Sequence, residues 1–233
     1  MCTLGVKKIH GRFYLFKNRD REYRINNRVV LEKGKIKKLL ITDSKGHCEG
    51  LNEYGIGLIE ATLRPARKTR FRTISQISRR ILDQKTIEEA IIIIKNNKTS
   101  TNVIISDGGR AYIVEKTPDE FAVTKVFHEG VMTNHSIKLH KKNGPKLQSV
   151  REWTEARYKR AKKLIKNITC FQDVVEFLSD TEGYPNKSIL GGDRKDGWWI
   201  PTQCSYIYDV KNKKIFFCKT RPDKDHFVEY KLK

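Results

Sequence analysis

The sequence predicts an α+β protein built from layered antiparallel sheets. Two observations support this fold class. Short strand-like runs come in blocks, and each block is followed by segments with helical periodicity. The turns between runs are short and glycine-rich, as in Asp107-Gly108-Gly109, which is typical of hairpins between antiparallel strands. In such a protein the helices cover the faces of the sheets.

The first third of the chain is predicted to be β-structure. Its apolar runs are separated by turn residues such as Ser44-Lys45-Gly46 and Glu53-Tyr54-Gly55. The predicted strands cover residues 3–6, 12–16, 28–31, 38–42 and 56–61.

Helical periodicity begins at Ile74, and polar residues at 83–85 divide this region into two helices. Thr86 can cap the second of them, which extends to residue 93. Strands return at residues 102–106, 111–115, 120–126 and 130–133.

The last third is predicted to contain two helices and a final hairpin. A long basic helix covers residues 149–166, and a shorter one, which Thr169 can cap, covers residues 171–179. Strands at 202–209 and 214–219 then form the hairpin.

The composition predicts a single globular domain over residues 1–233. A chain of 233 residues can bury one core, and a hydrophobic fraction of 38% suits a folded protein. No apolar run approaches the roughly 20 residues of a membrane helix, and no signal-peptide pattern is present, so we expect a cytoplasmic protein without a membrane partner. Five scattered cysteines indicate reduced thiols, and we predict neither a metal site nor a cofactor.

The net charge of +21 is the strongest compositional feature. Such a surface attracts nucleic acid and other polyanions. The charge is spread along the chain, however, and no motif with interleaved aromatic residues accompanies it. We therefore favour a lysine-rich surface without a dedicated role, and keep weak polyanion binding by a non-enzymatic protein as an alternative.

Cys2 combines two chemical functions once Met1 is removed. Methionine removal is expected before a small residue, and Cys2 would then carry both a thiol and a free α-amino group. That amine has an ordinary pKa of about 7.7–8.0, so a useful fraction is neutral at working pH. A nucleophile needs a base within hydrogen-bond reach, and here one residue can supply both.

Four further segments place Cys2 in a pattern: residues 16–20, 50–56, 131–135 and 156–161. Together with Cys2 they resemble the choloylglycine hydrolase and isopenicillin N acyltransferase group of N-terminal-nucleophile hydrolases. Thr133-Asn134-His135 is most similar to the acyltransferase branch. The resemblance implies a four-layer αββα sandwich, with helices outside two antiparallel sheets. It also implies cleavage of a small linear amide through a Cys2 acyl-thioester, and allows a homo-oligomer.

The resemblance assigns catalytic roles by position. Asp20 corresponds to the aspartate that orients the α-amino group, and Asn134 to the asparagine that donates to the oxyanion. Arg157 corresponds to the arginine of the following helix, whose charge near Cys2 would favour the thiolate. A second oxyanion donor is expected from the backbone near Thr62 and Leu63.

The candidate substrate-binding residues are Lys17, Asn18, Thr62, Leu63 and His135. Two of them depart from the family pattern, because Lys17 replaces an arginine and Thr62 replaces an asparagine. Trp198-Trp199 could line an acyl pocket. Two other enzyme-like readings remain open: a glutaminase-type amidotransferase, and a relative of the Asn-Arg-Asp-Glu proteins suggested by residues 18–22.

Overall fold

The structure is a computed structural model, and it describes residues 1–22, 25–66, 73–192 and 200–233. The described ranges contain thirteen strands, all of them in antiparallel ladders. In chain order they are β1 Cys2–Ile9, β2 Arg12–Asp20, β3 Arg28–Glu32, β4 Lys38–Thr42, β5 Cys48–Asn52, β6 Gly57–Thr62, β7 Thr101–Ser106, β8 Ala111–Lys116, β9 Phe121–Val126, β10 Glu129–Met132, β11 Thr202–Asp209, β12 Lys214–Cys218 and β13 Val228–Lys231.

These strands form two sheets. One has six strands in the order β10-β1-β2-β11-β12-β13, and the other has seven in the order β3-β4-β5-β6-β7-β8-β9. The four α-helices of the described residues are α1 Ser78–Leu82, α2 Ile87–Asn96, α3 Gln148–Leu164 and α4 Phe171–Leu178.

Three apolar clusters separate four layers. The central cluster, which includes Leu4, Leu15 and Ile59, lies between the two sheets. A second cluster joins the seven-stranded sheet to α1 and α2, and a third joins the six-stranded sheet to α3 and α4. Because each sheet packs on its partner on one face and on helices on the other, the architecture is the predicted α+β, four-layer αββα sandwich.

The helix caps test two sequence predictions. Thr86 caps α2 as predicted, because its side chain accepts the Glu89 N–H at 3.3 Å. The prediction for α4 is wrong: its N-cap is Cys170, one residue after Thr169. Thr169 instead donates its N–H at 2.6 Å and its hydroxyl at 2.8 Å to the Asp173 carboxylate. The Thr169 hydroxyl therefore acts as a donor to a side chain of the first turn, not as the acceptor for a backbone N–H of the helix.

Two strands were not predicted. β5 has no simple apolar alternation, because the buried Glu49 is part of a cross-sheet ion pair with Lys17. β13 lies at a sheet edge with all of its residues exposed, so neither face carries an apolar pattern. The two omissions therefore have different origins: burial of Glu49 depends on a partner distant in sequence, whereas β13 buries neither face.

Candidate active site

Cys2 begins β1, and the strand register determines its neighbours on both sides. Arg19 of β2 lies opposite Cys2. On the other side the ladder with β10 ends at the pair Leu4 and Met132, and the chain beyond Met132 runs along the first residues of β1. The Cys2 N–H donates to Asn134 Oδ1 at 2.7 Å, and Cys2 is only 1% exposed. Cys2 is therefore buried inside a sheet, with its backbone nitrogen held by Asn134.

The side-chain amide of Asn134 connects the two sheets. Its Oδ1 accepts from Cys2 in the six-stranded sheet, and its Nδ2 donates to the Thr62 carbonyl in the seven-stranded sheet at 2.9 Å. The Asn134 backbone N–H donates to Oγ1 of Thr154 on α3 at 2.9 Å. Since an asparagine amide has two N–H donors, the bond to Thr62 leaves one of them for a ligand.

Asp20 is fully buried at the end of β2. Arg157 forms an ion pair with its Oδ2, and the Thr202 hydroxyl donates to its Oδ1 at 2.8 Å. The Asp20 backbone pairs with Met1: its N–H donates to the Met1 carbonyl at 2.9 Å, and the Met1 amine donates to the Asp20 carbonyl at 3.2 Å. Burial lowers the pKa of that α-amino group below its ordinary value.

Arg157 follows Thr154 by one helical turn on α3. Residues three apart lie on the same face of a helix, so one face of α3 reaches Asn134 through Thr154 and Asp20 through Arg157. Arg157 is 0% exposed, and its Nε donates to the Asn186 carbonyl at 2.9 Å. Its Nη2 is buried and has no hydrogen-bond partner within the described ranges. A guanidinium so enclosed is held mainly by its pairing with Asp20.

Two cavities meet at Met1. The first, of about 340 Å³, has Asn134 on its wall together with apolar side chains such as Leu147, Val150 and Ile200. The second, of about 550 Å³, is polar; its lining includes Asp20, Asp43, His47, Glu60 and Ser75. Met1, Arg21, Glu22 and Thr62 line both cavities.

The sequence profile of the acyl-coenzyme A:6-aminopenicillanic acid acyl-transferase family matches residues 7–224. The chain belongs to this family. Among solved structures, it is similar to penicillin V acylase from Agrobacterium tumefaciens, with 17% identity, a TM-score of 0.56, and coverage of 93% of this chain and 82% of that chain. It is also similar to a mutant conjugated bile acid hydrolase from Clostridium perfringens, with 15% identity, a TM-score of 0.60, and coverage of 100% and 97%. No curated protein sequence matches it significantly.

Membership of the penicillin acyltransferase family confirms the predicted group and its fold. The chain has a cysteine at position 2, and it is an enzyme of the N-terminal-nucleophile type, an amide hydrolase or acyltransferase. No helix in the described parts of the chain has both the length and the apolar character needed to cross a membrane.

Lys17 lies in a buried charge cluster between the sheets. Its ammonium pairs with Glu49 and lies 4.0 Å from Glu60, and all three side chains are almost fully buried. Burial alone would lower the pKa of Lys17, but the Glu49 carboxylate raises it above the ordinary value. Burial would likewise raise the pKa of Glu49, which Lys17 and His47 hold well below its usual range.

The same cluster offers groups that could hold a metal. One ligand atom each from His47, Glu49 and Glu60 lie within 4.8 Å of one another. The Lys17 ammonium already bonds Glu49, so a cation there would meet an ammonium group at short range. The Lys17 ammonium thus already provides the positive charge that a metal ion would bring to the Glu49 and Glu60 carboxylates.

The other candidate substrate-binding residues have different surroundings. Thr62 lines both cavities, and its carbonyl receives Asn134. The Leu63 N–H donates to the Ser100 carbonyl at 3.4 Å, and Leu63 is buried. The Asn18 amide is turned to the protein interior, where its Nδ2 donates to the carbonyls of Leu178 at 2.8 Å and Ile189 at 3.1 Å.

His135 points away from Cys2, toward α3. Its Nδ1 lies 3.0 Å from the Thr133 hydroxyl and 3.2 Å from the Thr154 hydroxyl, and its ring meets the Tyr158 ring edge-on at 5.4 Å. Burial, and to a lesser extent Arg151, lowers the pKa of His135 to about 4. The imidazole is therefore neutral at neutral pH. It packs between the segment that carries Asn134 and the helix α3.

Four residues of the site were missed by sequence reasoning: Thr154, Thr202, Asn102 and Arg21. Thr154 and Thr202 bond Asn134 and Asp20, as described above. The Asn102 amide donates to the carbonyls of Thr133 at 2.8 Å and His135 at 2.9 Å. Only Asn102 gave a local signal, as a polar residue on the same strand face as the core residue Ile104.

Arg21 immediately follows Asp20 and lines both cavities. Its guanidinium makes one weak contact with the described residues, a 3.5 Å bond from Nη1 to the Asp20 carbonyl. The arginines nearby are different, since Arg19 pairs with Asp43 and Arg157 with Asp20. Arg21 thus has no ion pair within the described ranges. Burial lowers its pKa, but the nearby Cys2, Glu60 and Glu49 raise it above the ordinary value, so its charge is partly balanced.

Two basic side chains that follow Asn134 in the chain bind backbone carbonyls of nearby loops. Lys146 donates to the carbonyls of Pro65 at 2.8 Å and Ala66 at 2.9 Å, and Arg151 donates to the carbonyls of Lys141 at 2.9 Å and Lys142 at 3.1 Å. These contacts join loops and do not themselves point to a polyanion. Trp198-Trp199 lies outside the described residues.

Proposed function

We propose that this enzyme, after loss of Met1, cleaves the amide bond of a small N-acyl compound through a thioester on Cys2. The observation that carries the proposal is that three side chains from distant segments meet around the first residues of β1. Asp20 ends β2, Asn134 follows β10, and Arg157 lies on α3. Met1 lies between the two cavities, so its removal would open Cys2 to both.

The chemistry follows from the groups present. The Cys2 thiol gives its proton to the free α-amine and its sulfur bonds to the acyl carbon. The C–N bond then breaks, and the protonated α-amine returns its proton to the leaving amine. Water or a second amine attacks the thioester and takes the acyl group, which restores the thiol. The first acceptor makes the enzyme a hydrolase, and the second makes it an acyltransferase.

Each neighbour has a distinct task in this scheme. The remaining Nδ2 donor of Asn134 would bond the carbonyl oxygen as it becomes negative. Asp20 would orient the ammonium form of the α-amine, and Arg157 fixes the Asp20 carboxylate. The free α-amine of Cys2 accepts the thiol proton in its neutral form, and its ordinary pKa of about 7.7–8.0 makes a useful fraction of that form available at working pH.

The cavities favour an amide with an apolar acyl group and an anionic group. Leu147, Val150 and Ile200 offer apolar surface beside Asn134. Arg21 lines the same cavity and has a guanidinium suited to binding a carboxylate. Arg64 lines this cavity as well. An N-acyl amino acid has both features.

A matched pair of substrates tests this proposal. Octanoylglycine carries a carboxylate, whereas octanoylethanolamine is neutral and of similar size. We expect octanoylglycine to be cleaved with a kcat/KM about tenfold or more higher, because a charge-assisted bond to Arg21 would be lost with the neutral amide. The preference should disappear in Arg21→Gln. No cleavage of either amide by protein that lacks Met1 would contradict the proposal.

A further inference from the structure

The side-chain amide of Asn102 donates two hydrogen bonds to backbone carbonyls in the interior of the protein. Asn102 lies on β7, is 0% exposed, and its Nδ2 donates to the carbonyls of both Thr133 and His135. These are the two residues that flank Asn134. Both donors of one amide are therefore used to hold the backbone on either side of a single residue.

The position of Asn134 has to be held because Asn134 lies beyond a strand end. The ladder between β1 and β10 stops at the pair Leu4 and Met132, and Thr133 to His135 follow without strand pairing. The Asn134 N–H reaches Thr154 on α3, which orients the peptide on one side. Asn102 supplies the bonds on the other side, from the seven-stranded sheet.

Asn102 makes no hydrogen bond to Cys2 and does not line either cavity at Met1. We propose that Asn102 is a positioning residue that holds the Asn134 amide where the oxyanion forms. The inference rests on the proposed function, because it gives Asn134 the role of oxyanion donor. An oxyanion donor acts only within a narrow range of distance, so a small displacement of the Asn134 backbone lowers the rate of the chemical step.

The chain contains a matched control. Asn52, also 0% exposed, donates its Nδ2 to two carbonyls, those of Leu82 at 2.9 Å and Gln84 at 2.8 Å. Asn52 lies before the beginning of β6, whereas Thr62, the residue that contacts Asn134, lies at the end of this strand. Asn52 is therefore one strand length away from the Asn134 contact. Replacement by leucine removes two donated bonds at both positions, and at Asn52 it also removes the acceptor of the Tyr54 and Ile56 N–H groups. The control variant therefore suffers at least as large a local change, and only Asn102 is next to the active site.

The experiment compares Asn102→Leu with Asn52→Leu in protein that lacks Met1, using octanoylglycine. Asn102→Leu should lower kcat about ten- to a hundredfold and change KM less than about twofold, since the donor is displaced and the substrate cavity is intact. Asn52→Leu should leave kcat within about twofold at an equal or larger loss of thermal stability. Asn102→Ser, which keeps one donor, serves if the leucine variant does not fold, and its kcat should lie between the two.

A second readout does not depend on turnover. 1,1,1-Trifluoro-2-nonanone, a ketone analogue of the octanoyl group, adds reversibly to a thiol: the Cys2 sulfur bonds to the carbonyl carbon, the thiol proton goes to the α-amine, and the ketone oxygen becomes negative at the oxyanion position. Asn102→Leu should weaken binding of this ketone by about the same factor as kcat, and Asn52→Leu should not. Equal values for the two leucine variants in both assays would overturn the positioning role. A wild-type enzyme that neither cleaves octanoylglycine nor binds the ketone would instead contradict the proposed function.

Discussion

Asn52 and Asn102 lie at opposite ends of the seven-stranded sheet, and the side-chain amide of each donates to two backbone carbonyls with a different result. Asn52 shapes the turn before β6, because its Oδ1 also accepts the N–H groups of Tyr54 at 3.1 Å and Ile56 at 2.9 Å. Asn102 holds the segment that carries Asn134. The turn with Asn52 was the clearer sequence motif, yet the residues to which we assign the chemistry lie at the other end. A recognisable motif can therefore report backbone geometry rather than reactivity.

The largest effect should come from the end that carries Asn134. Asn134→Ala removes the side-chain donor and the bond that holds the Cys2 nitrogen, so kcat for octanoylglycine should fall about 10²–10³-fold. Asn97→Ala is the control, because Asn97 bonds only the Ile93 carbonyl at the end of α2. If the two alanine variants retained similar kcat values, the Asn134 side chain would have no part in the chemical step.

The second prediction concerns the buried ion pair at the same end. Arg157→Leu leaves the Asp20 carboxylate buried without its cation, and should lower the free energy of unfolding by about 3–5 kcal/mol. Arg160→Leu, on the same helix, breaks partly exposed pairs with Asp180 and Glu182 and should cost about 1 kcal/mol or less. Urea unfolding measures both values. Equal losses would mean that Asp20 is not isolated from water as its burial implies.

The smallest effect is a pH dependence of stability. The pKa of His135 is about 4 in the folded protein, below the ordinary value of 6.5. Its contribution is therefore complete above about pH 6.5 and is lost as the pH falls toward 4, because the unfolded chain takes up the proton first. Between pH 7.5 and 5.0, wild type should lose about 2 kcal/mol more than His135→Gln in urea unfolding.

The titration of His47 does not affect the comparison between wild type and His135→Gln. Burial lowers its pKa to about 4 as well, but it is present in both proteins, so only the difference between them reports His135. An identical pH dependence for wild type and His135→Gln would contradict the buried, neutral state of His135.

Local pattern was sufficient for most of the fold. Most strands and the two helices around residue 83 were predicted, because their burial follows simple periodicity and Thr86 provides a standard cap. β5 was missed because Glu49 is buried only by virtue of Lys17, which lies on the other sheet. The edge strand β13 was missed because it buries neither face.

The site was harder to predict than the fold. Family resemblance located Cys2, Asp20, Asn134 and Arg157, and the structure brings these four residues together. Residues that act through a second residue, such as Thr154 and Thr202, carry no signal in one sequence. Their importance depends on α3 packing over β1 and on β11 pairing with β2, which are contacts between distant segments.

The most direct test of the account is the mass of the protein during turnover. The enzyme is purified, mixed with octanoylglycine, stopped with acid after a short time, and its intact mass is measured before and after the reaction. The account predicts that Met1 is absent from the starting protein and that one octanoyl group is then attached, which peptide mapping places on the Cys2 sulfur. Cys2→Ala is the control and should acquire none. Active protein that retains Met1 quantitatively, or an acyl group on another residue, would contradict the central claim that Cys2 is both nucleophile and base.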